Sequence, residues 1–333
     1  MSMHTGNALE ILKGFKDESI DCVVTSPPYW NLRDYGDPGQ IGMELTYYAY
    51  LENLLSIFDQ IKRVLKPEGT VWVNLGDTYG TQSGAMRQGK FGPKNTNNQK
   101  FVQPKSIHKC LLMIPARFAI EMINRGWILR NEIIWHKPNA LPQSATDRLT
   151  VDYEKMFFFV KSRKYFFDQK AIAEPITDAT VKRILMQNTE NQAGSSRTHG
   201  GMKHNGPMKA VLGKGYTPKM AGGGSSMRGH SGYKRGDGTF VIRPDRNKRT
   251  VWSIPTKPFT EAHFAVYPEE LIEAPIKAGC PKGGVVLDPF MGSGTTAVVA
   301  EKLGRQWVGI DINPEYVKLA EKRVRELPAQ LFK

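Results

Sequence analysis

The chain of 333 residues carries 46 Lys and Arg against 32 Asp and Glu, a formal net charge of +14. It holds no apolar run of the ~18 residues a membrane span needs, and its first residues lack the basic-then-apolar form of a signal peptide. Cys22, Cys110 and Cys280 are scattered, with neither metal-ligand spacing nor the even count of a disulfide framework, so a reducing, cytoplasmic setting is expected.

The charge is segregated. Residues 181–250 hold 14 Lys and Arg against three acids, and residues 86–109 hold six against none. Those two stretches carry +11 and +6, which leaves the remainder at −3. Ordinary solubility needs no such separation, whereas a polyanionic partner does. A passive, solvated linker is the alternative reading of the basic stretches.

From the N-terminus, residues 7–15 predict a short helix ended by Gly14, and the apolar run 20–24 predicts a buried strand. Thr25-Ser26-Pro27-Pro28-Tyr29-Trp30 follows. Consecutive prolines supply no backbone donor and fix φ, so the chain leaves the strand as a stiff extended turn. Such a turn offers free carbonyls, the Ser26 hydroxyl and the Tyr29 ring at a strand's carboxyl end, where ligands of open α/β sheets bind. An acceptor cluster beside an aromatic platform suits a flat ring bearing an NH₂ group.

Residues 31–45 read as loop. Leu51, Leu54, Leu55, Phe58, Ile61, Val64 and Leu65 form one helical stripe, with Thr46 as N-cap and Lys66-Pro67-Glu68-Gly69 as the stop. Strands are expected at 71–75, 127–136 and 154–161, and a helix at 115–124. Residues 190–240 are rich in Gly, Ser, Asn, Lys and Arg and lack apolar periodicity, the composition of a disordered segment or of an insertion that orders on a polyanion. Order resumes at 251–254, with a helix over 268–278 and a strand over 285–288.

The strand 285–288 runs into Pro289-Phe290-Met291-Gly292-Ser293-Gly294-Thr295-Thr296, then a helix, then a strand ending in Asp311. Asn313 and Pro314 open a last helix. Strand, Gly turn, helix, strand and terminal acid form a nucleoside half-site, with Asp311 placed 17 residues past Gly294 to take ribose hydroxyls. Position 297 is Ala where the dinucleotide pattern usually has Gly, and no Gly-Lys-Ser/Thr follows for a triphosphate. A nucleoside with an uncharged or zwitterionic tail, such as S-adenosylmethionine, fits what remains.

Taken together, Ser26-Pro27-Pro28-Tyr29 and Phe290-Met291-Gly292-Ser293-Gly294 resemble the paired motifs of the DNA amino-methyltransferases, in the order of that family's β group. The resemblance extends to Asp288-Pro289-Phe290, His263-Phe264-Ala265 and Gly309-Ile310-Asp311, and covers about 1–80, 125–161 and 250–326. It implies a Rossmann-like doubly wound α/β sheet, with 1–161 as the catalytic half of one domain. Residues 162–250 would be a basic, Gly-rich target-recognition insertion, and 251–333 the cofactor half. It implies S-adenosyl-L-methionine as cofactor, held by Asn7, His263, Phe264, Asp288, Phe290, Gly292, Ser293, Gly294, Thr295 and Asp311. Asn7 departs from the Asp usual in the family. No metal is implied.

By the same resemblance, Ser26, Pro27, Pro28 and Tyr29 would methylate the exocyclic amine of a base flipped out of duplex DNA. Ser before Pro-Pro favours cytosine N4, with adenine N6 as the alternative. A homodimer and a cognate restriction endonuclease are partners the family allows. Readings of other classes are an NAD-dependent oxidoreductase, which leaves the Pro-Pro turn and the charge unexplained, and a non-catalytic DNA-binding protein, which leaves the Gly turn unexplained. A methyltransferase for protein glutamine or RNA is closer kin.

Overall fold

The computed structural model describes residues 1–31, 39–80, 107–176, 232–234, 240–242, 245–257 and 267–327. The chain divides into two units, Met1–Ala171 with Arg249–Lys333, and Ile172–Lys248.

The strands, in chain order, begin with β1 (Ser2–Thr5), β2 (Ile20–Thr25), β3 (Leu65–Leu75), β4 (Ile128–His136) and β5 (Tyr153–Val160). The smaller unit adds β6 (Glu174–Pro175), β7 (Gly232–Lys234), β8 (Phe240–Ile242) and β9 (Asp245–Arg246), which form two antiparallel pairs, β6 with β9 and β7 with β8. The larger unit then resumes with β10 (Val251–Ser253), β11 (Val285–Asp288) and β12 (Gln306–Asp311). Its helices are α1 (Ala8–Lys13), α2 (Tyr47–Val64), α3 (Ile114–Asn124), α4 (Glu269–Gly279), α5 (Thr295–Lys302) and α6 (Pro314–Arg325).

Eight strands of the larger unit form one sheet in the order β1-β12-β11-β2-β3-β5-β4-β10. Only β5 runs against the rest, pairing antiparallel with β3 and β4. The central strands are covered on both faces, which is why residues 22–24 of β2 and 156–160 of β5 read as apolar runs. Leu12 of α1, Leu54 and Phe58 of α2 and Phe118 of α3 pack against Val71, Val73, Phe157 and Phe159 on one face. On the other, Gly279 of α4 lies against Thr70 and Trp72, and Trp72 stacks on Phe158 at 4.0 Å. This is the doubly wound α/β fold expected from the sequence. Thr46 caps α2 as expected, its hydroxyl accepting from Ala49 N–H at 3.1 Å.

The start of β3 differs from expectation. Lys66-Pro67-Glu68-Gly69 does not separate helix from strand, because β3 starts at Leu65 directly after α2. The β2–β3 register jumps from Ile20↔Leu65 to Cys22↔Thr70, so Pro67 lies in an irregular bulge that asks no donor of it. The parallel strands all end on one edge of the sheet, and the two sequence motifs follow β2 and β11 there.

Candidate active site

The Pro-Pro turn leaves β2 beside the ends of β3 and β5. Its two proline carbonyls are not equivalent. Pro28 O accepts from the Tyr50 hydroxyl of α2 at 2.9 Å, whereas Pro27 O has no partner among the described residues. Trp30 is buried, its indole donating to Glu44 O at 2.8 Å, so the far end of the turn is fixed to the core. Ser26 Oγ has only a long 3.5 Å contact to the Tyr29 hydroxyl. Among the described residues, Ser26 Oγ and Pro27 O therefore keep acceptor capacity on the turn.

Tyr29 is held at three points. Its hydroxyl donates to Glu154 Oε2 at 2.6 Å and accepts from Asn74 Nδ2 at 2.9 Å. Asn74 also donates to Glu154 at 2.6 Å, and Lys137 pairs with the other Glu154 oxygen. The ring lies so close to Gly76 that a Cβ there would stand 2.5 Å from Tyr29 Cε2. Burial and the Glu154 carboxylate push the Tyr29 hydroxyl well above its usual range, so it stays a neutral donor. Asn74, Lys137 and Glu154 were not legible as site residues: they stand on three strand ends, and no local motif joins them.

The glycine turn after β11 divides its labour. Gly292 adopts φ +53° and nothing lies within 4 Å of a Cβ placed there, which leaves the backbone open to a ligand. Gly294, at φ +87°, would bring a Cβ to 2.6 Å from Ala320 Cβ, so it is required for packing on α6. Phe290 is partly buried against the core. Ser293 and Thr295 are buried and face Arg323, which donates to Ser293 O at 2.7 Å, Ser293 Oγ at 3.1 Å and Thr295 Oγ1 at 3.3 Å.

At the end of β12, Asp311 accepts from Gly292 N–H at 2.8 Å and Asn313 N–H at 2.9 Å. Each oxygen keeps a lone pair for a further donor. Burial pushes its carboxyl up to about 6, against the lowering effect of those two backbone donors.

Two expected cofactor contacts have other work in the structure. Asp288 is fully buried and its oxygens take Thr25 Oγ1 at 2.6 Å, Thr296 Oγ1 at 2.6 Å, Tyr267 Oη at 3.0 Å and Phe290 N–H at 3.0 Å. Four donors fill a carboxylate's four lone-pair sites. Asp288 thus ties Thr25, next to Ser26, directly to the glycine turn, and burial raises its pKa. Asn7 is the N-cap of α1: its Oδ1 accepts from Leu9 and Glu10 N–H at 2.9 and 3.3 Å, and its Nδ2 donates to Gly39 O at 3.2 Å. Both lone pairs of that oxygen are spent. His263 and Phe264 lie outside the described residues, as do 86–106 and most of 162–250.

Among the thiols, Cys22 and Cys280 are buried, which raises both, Cys280 to about 12. At neutral pH neither is the thiolate that nucleophilic catalysis requires.

Known proteins resemble this chain in sequence and fold. A family model described as DNA methylase matches residues 20–322. The type II methyltransferase M.SmaI of Serratia marcescens is 36% identical over 323 residues, which cover 96% of this chain and 89% of that protein. The solved PvuII DNA methyltransferase, described as cytosine-N4-specific, aligns with a TM-score of 0.59 at 20% identity, over 98% of this chain and 86% of its own. A DNA modification methylase of Thermus thermophilus, solved in complex with S-adenosyl-L-methionine, aligns with a TM-score of 0.54 at 22% identity, over 98% and 96%.

Proposed function

We propose a cytosine-N4 DNA methyltransferase, starting from the fact that this chain belongs to the DNA methylase family of N6 and N4 methyltransferases. That membership makes it an S-adenosylmethionine-dependent DNA methyltransferase.

The glycine turn fits the cofactor: the open backbone at Gly292 admits a ligand, and the Asp311 carboxylate beside it keeps acceptor capacity for ribose hydroxyls. Phe290, and from the resemblance His263 and Phe264, would complete that pocket. Bound there, S-adenosylmethionine supplies an electrophilic methyl group. The protein's part is to hold the nucleophile. A base leaving the duplex forfeits a few kcal/mol of pairing and stacking, and stacking on Tyr29 would return about 1–3 kcal/mol.

The exocyclic amine is a poor nucleophile because its lone pair is shared with the ring. Ser26 Oγ and Pro27 O, accepting its hydrogens, would draw that lone pair back to nitrogen and fix its direction. The observation that carries this assignment is the engagement of Pro28 O by Tyr50, which, among the described residues, leaves Pro27 O as the proline carbonyl of the turn without a donor. No covalent protein intermediate is involved, in keeping with the raised thiols of Cys22 and Cys280.

Cytosine N4 is favoured by Ser26 ahead of Pro-Pro, and the PvuII enzyme, described as cytosine-N4-specific, is a structural neighbour. Duplex DNA is the macromolecular substrate, met by the basic stretches 86–109 and 162–250, the latter as a target-recognition insertion between the two halves of the catalytic domain. Action beside a cognate restriction endonuclease follows from the same reading. Tritium-labelled cofactor offered with plasmid DNA, RNA and a protein extract tests it. Label should enter DNA, in the cytosine fraction; label confined to RNA or protein rejects the reading.

A further inference from the structure

The loop joining β4 to β5, residues 137–152, leaves the sheet on the same edge as the Pro-Pro turn. It is fastened near both ends. Lys137 N–H donates to Asp152 O at 2.7 Å, and Ala140 N–H to Lys137 O at 3.0 Å. Asn139 exchanges two 2.9 Å bonds with Thr256. Lys109 Nζ pairs with Asp147 at 2.5 Å, and the Arg148 guanidinium lies 4.0 Å from the centre of the Tyr79 ring.

This fastened loop nevertheless holds Leu141 at 85% exposure and Leu149 at 89%. A single exposed leucine needs no explanation. Two on one pinned loop are preorganised apolar contacts without a core to fill.

Three connections say what they face. The root of the loop reaches the catalytic aromatic, since Lys137 pairs with Glu154 and Glu154 accepts the Tyr29 hydroxyl. Leu141 stands four residues beyond Lys137 and Leu149 four before Tyr153, each within ~14 Å of the root along the chain. Lys109, the last residue of the basic stretch 86–109, is bonded to the loop through Asp147, two residues before Leu149.

Building on the DNA methyltransferase reading, we propose that Leu141 and Leu149 are the apolar wedge that enters duplex DNA at the target base pair. They occupy the space that the target base vacates. Apolar side chains inserted between base steps offset lost stacking, and a rigid mount spares the cost of ordering them on binding.

Both side chains are exposed, so Leu141→Ser, Leu149→Ser and the double variant should fold normally. Unchanged S-adenosylmethionine affinity by calorimetry checks this. Single-turnover methyl transfer is then measured on a synthetic duplex carrying the site mapped on methylated plasmid DNA. A second duplex has the base opposite the target removed, so that no pair must be opened. The double variant should be at least about tenfold slower than the native protein on the paired duplex and within about threefold on the orphaned target. An equal loss on both duplexes overturns the wedge and leaves a plain DNA contact; no loss on either also overturns it. If the native protein methylates no duplex at all, the DNA reading fails first and the wedge with it.

Discussion

Asp311→Asn should separate stability from cofactor affinity, because the same burial that suits Asp311 to its ligand strains the apo protein. Its carboxyl is pushed up to about 6, against ~3.9 for an ordinary Asp. Keeping it ionised in the fold therefore costs about 3 kcal/mol at neutral pH, at ~1.4 kcal/mol per unit. Asn removes that charge but has one acceptor oxygen for two backbone donors, Gly292 and Asn313. Losing one such bond to a charged acceptor costs about 1.5–3 kcal/mol, so at pH 7.5 the variant should be at least as stable as the native protein, by up to about 1.5 kcal/mol.

The sign with pH follows. The folded-state pKa is raised, so the folded protein binds the proton more tightly than the unfolded chain. Stability from Asp311 is fully present below pH ~4 and lost as pH rises through about 6. The gap between variant and native should open over that window. Cofactor affinity should move the other way. At pH 7.5 the variant should bind S-adenosylmethionine roughly 10–100-fold more weakly, for one charged hydrogen bond of ~1.5–3 kcal/mol. The native protein should lose affinity as pH falls below about 6 while the variant stays flat. Denaturant titration and calorimetry between pH 4.5 and 8 measure both. A variant less stable than native at pH 7.5, with unchanged cofactor affinity, would refute the reasoning.

Tyr29→Ala should slow methyl transfer at least about tenfold, on a stacking contribution of ~1–3 kcal/mol, with cofactor affinity near normal; full activity by methyl-transfer assay removes Tyr29 from the site. Gly292→Val should weaken cofactor binding by placing a side chain in open space. Gly294→Ala should lower stability by about 1–3 kcal/mol in denaturant titration, because its Cβ meets Ala320, and Gly292→Val should also lose stability to backbone strain at φ +53°. Equal cofactor affinity in the Gly292 variant and native protein would exclude this turn as the cofactor cradle. Replacing 190–240 by a short linker should flatten the dependence of DNA affinity on salt, each lost phosphate contact contributing a slope near ~0.9 in log–log form. An unchanged slope would mean a passive linker.

How much was legible depended on whether the signal was local. The run 20–24, the α2 stripe and the Asn313-Pro314 start each carry their own periodicity or cap, and the corresponding elements stand within a residue or two of expectation. β1 did not announce itself: its four residues become a strand only by pairing with β12. Pro67 misled because a bulge, invisible in one strand alone, excuses it from the ladder. At the candidate site, the two motifs follow β2 and β11 onto one sheet edge, as local strand-and-turn signals allow. The inward turn of Asp288 toward Thr25, 263 positions away, and the grip of Asn74 and Glu154 on Tyr29 are tertiary facts that no spacing encodes. Asn7 illustrates the reverse, a residue whose capping geometry takes the oxygen that resemblance had reserved for the cofactor.

The most direct measurement is mass spectrometry of nucleosides from the DNA of cells expressing the protein, compared with cells expressing the Tyr29→Ala variant. The account predicts N4-methyl-deoxycytidine that is lost or sharply reduced in the variant. N6-methyl-deoxyadenosine as the sole new product would contradict the assignment of the target base, and 5-methyl-deoxycytidine would contradict direct transfer to an amine held by Ser26 and Pro27.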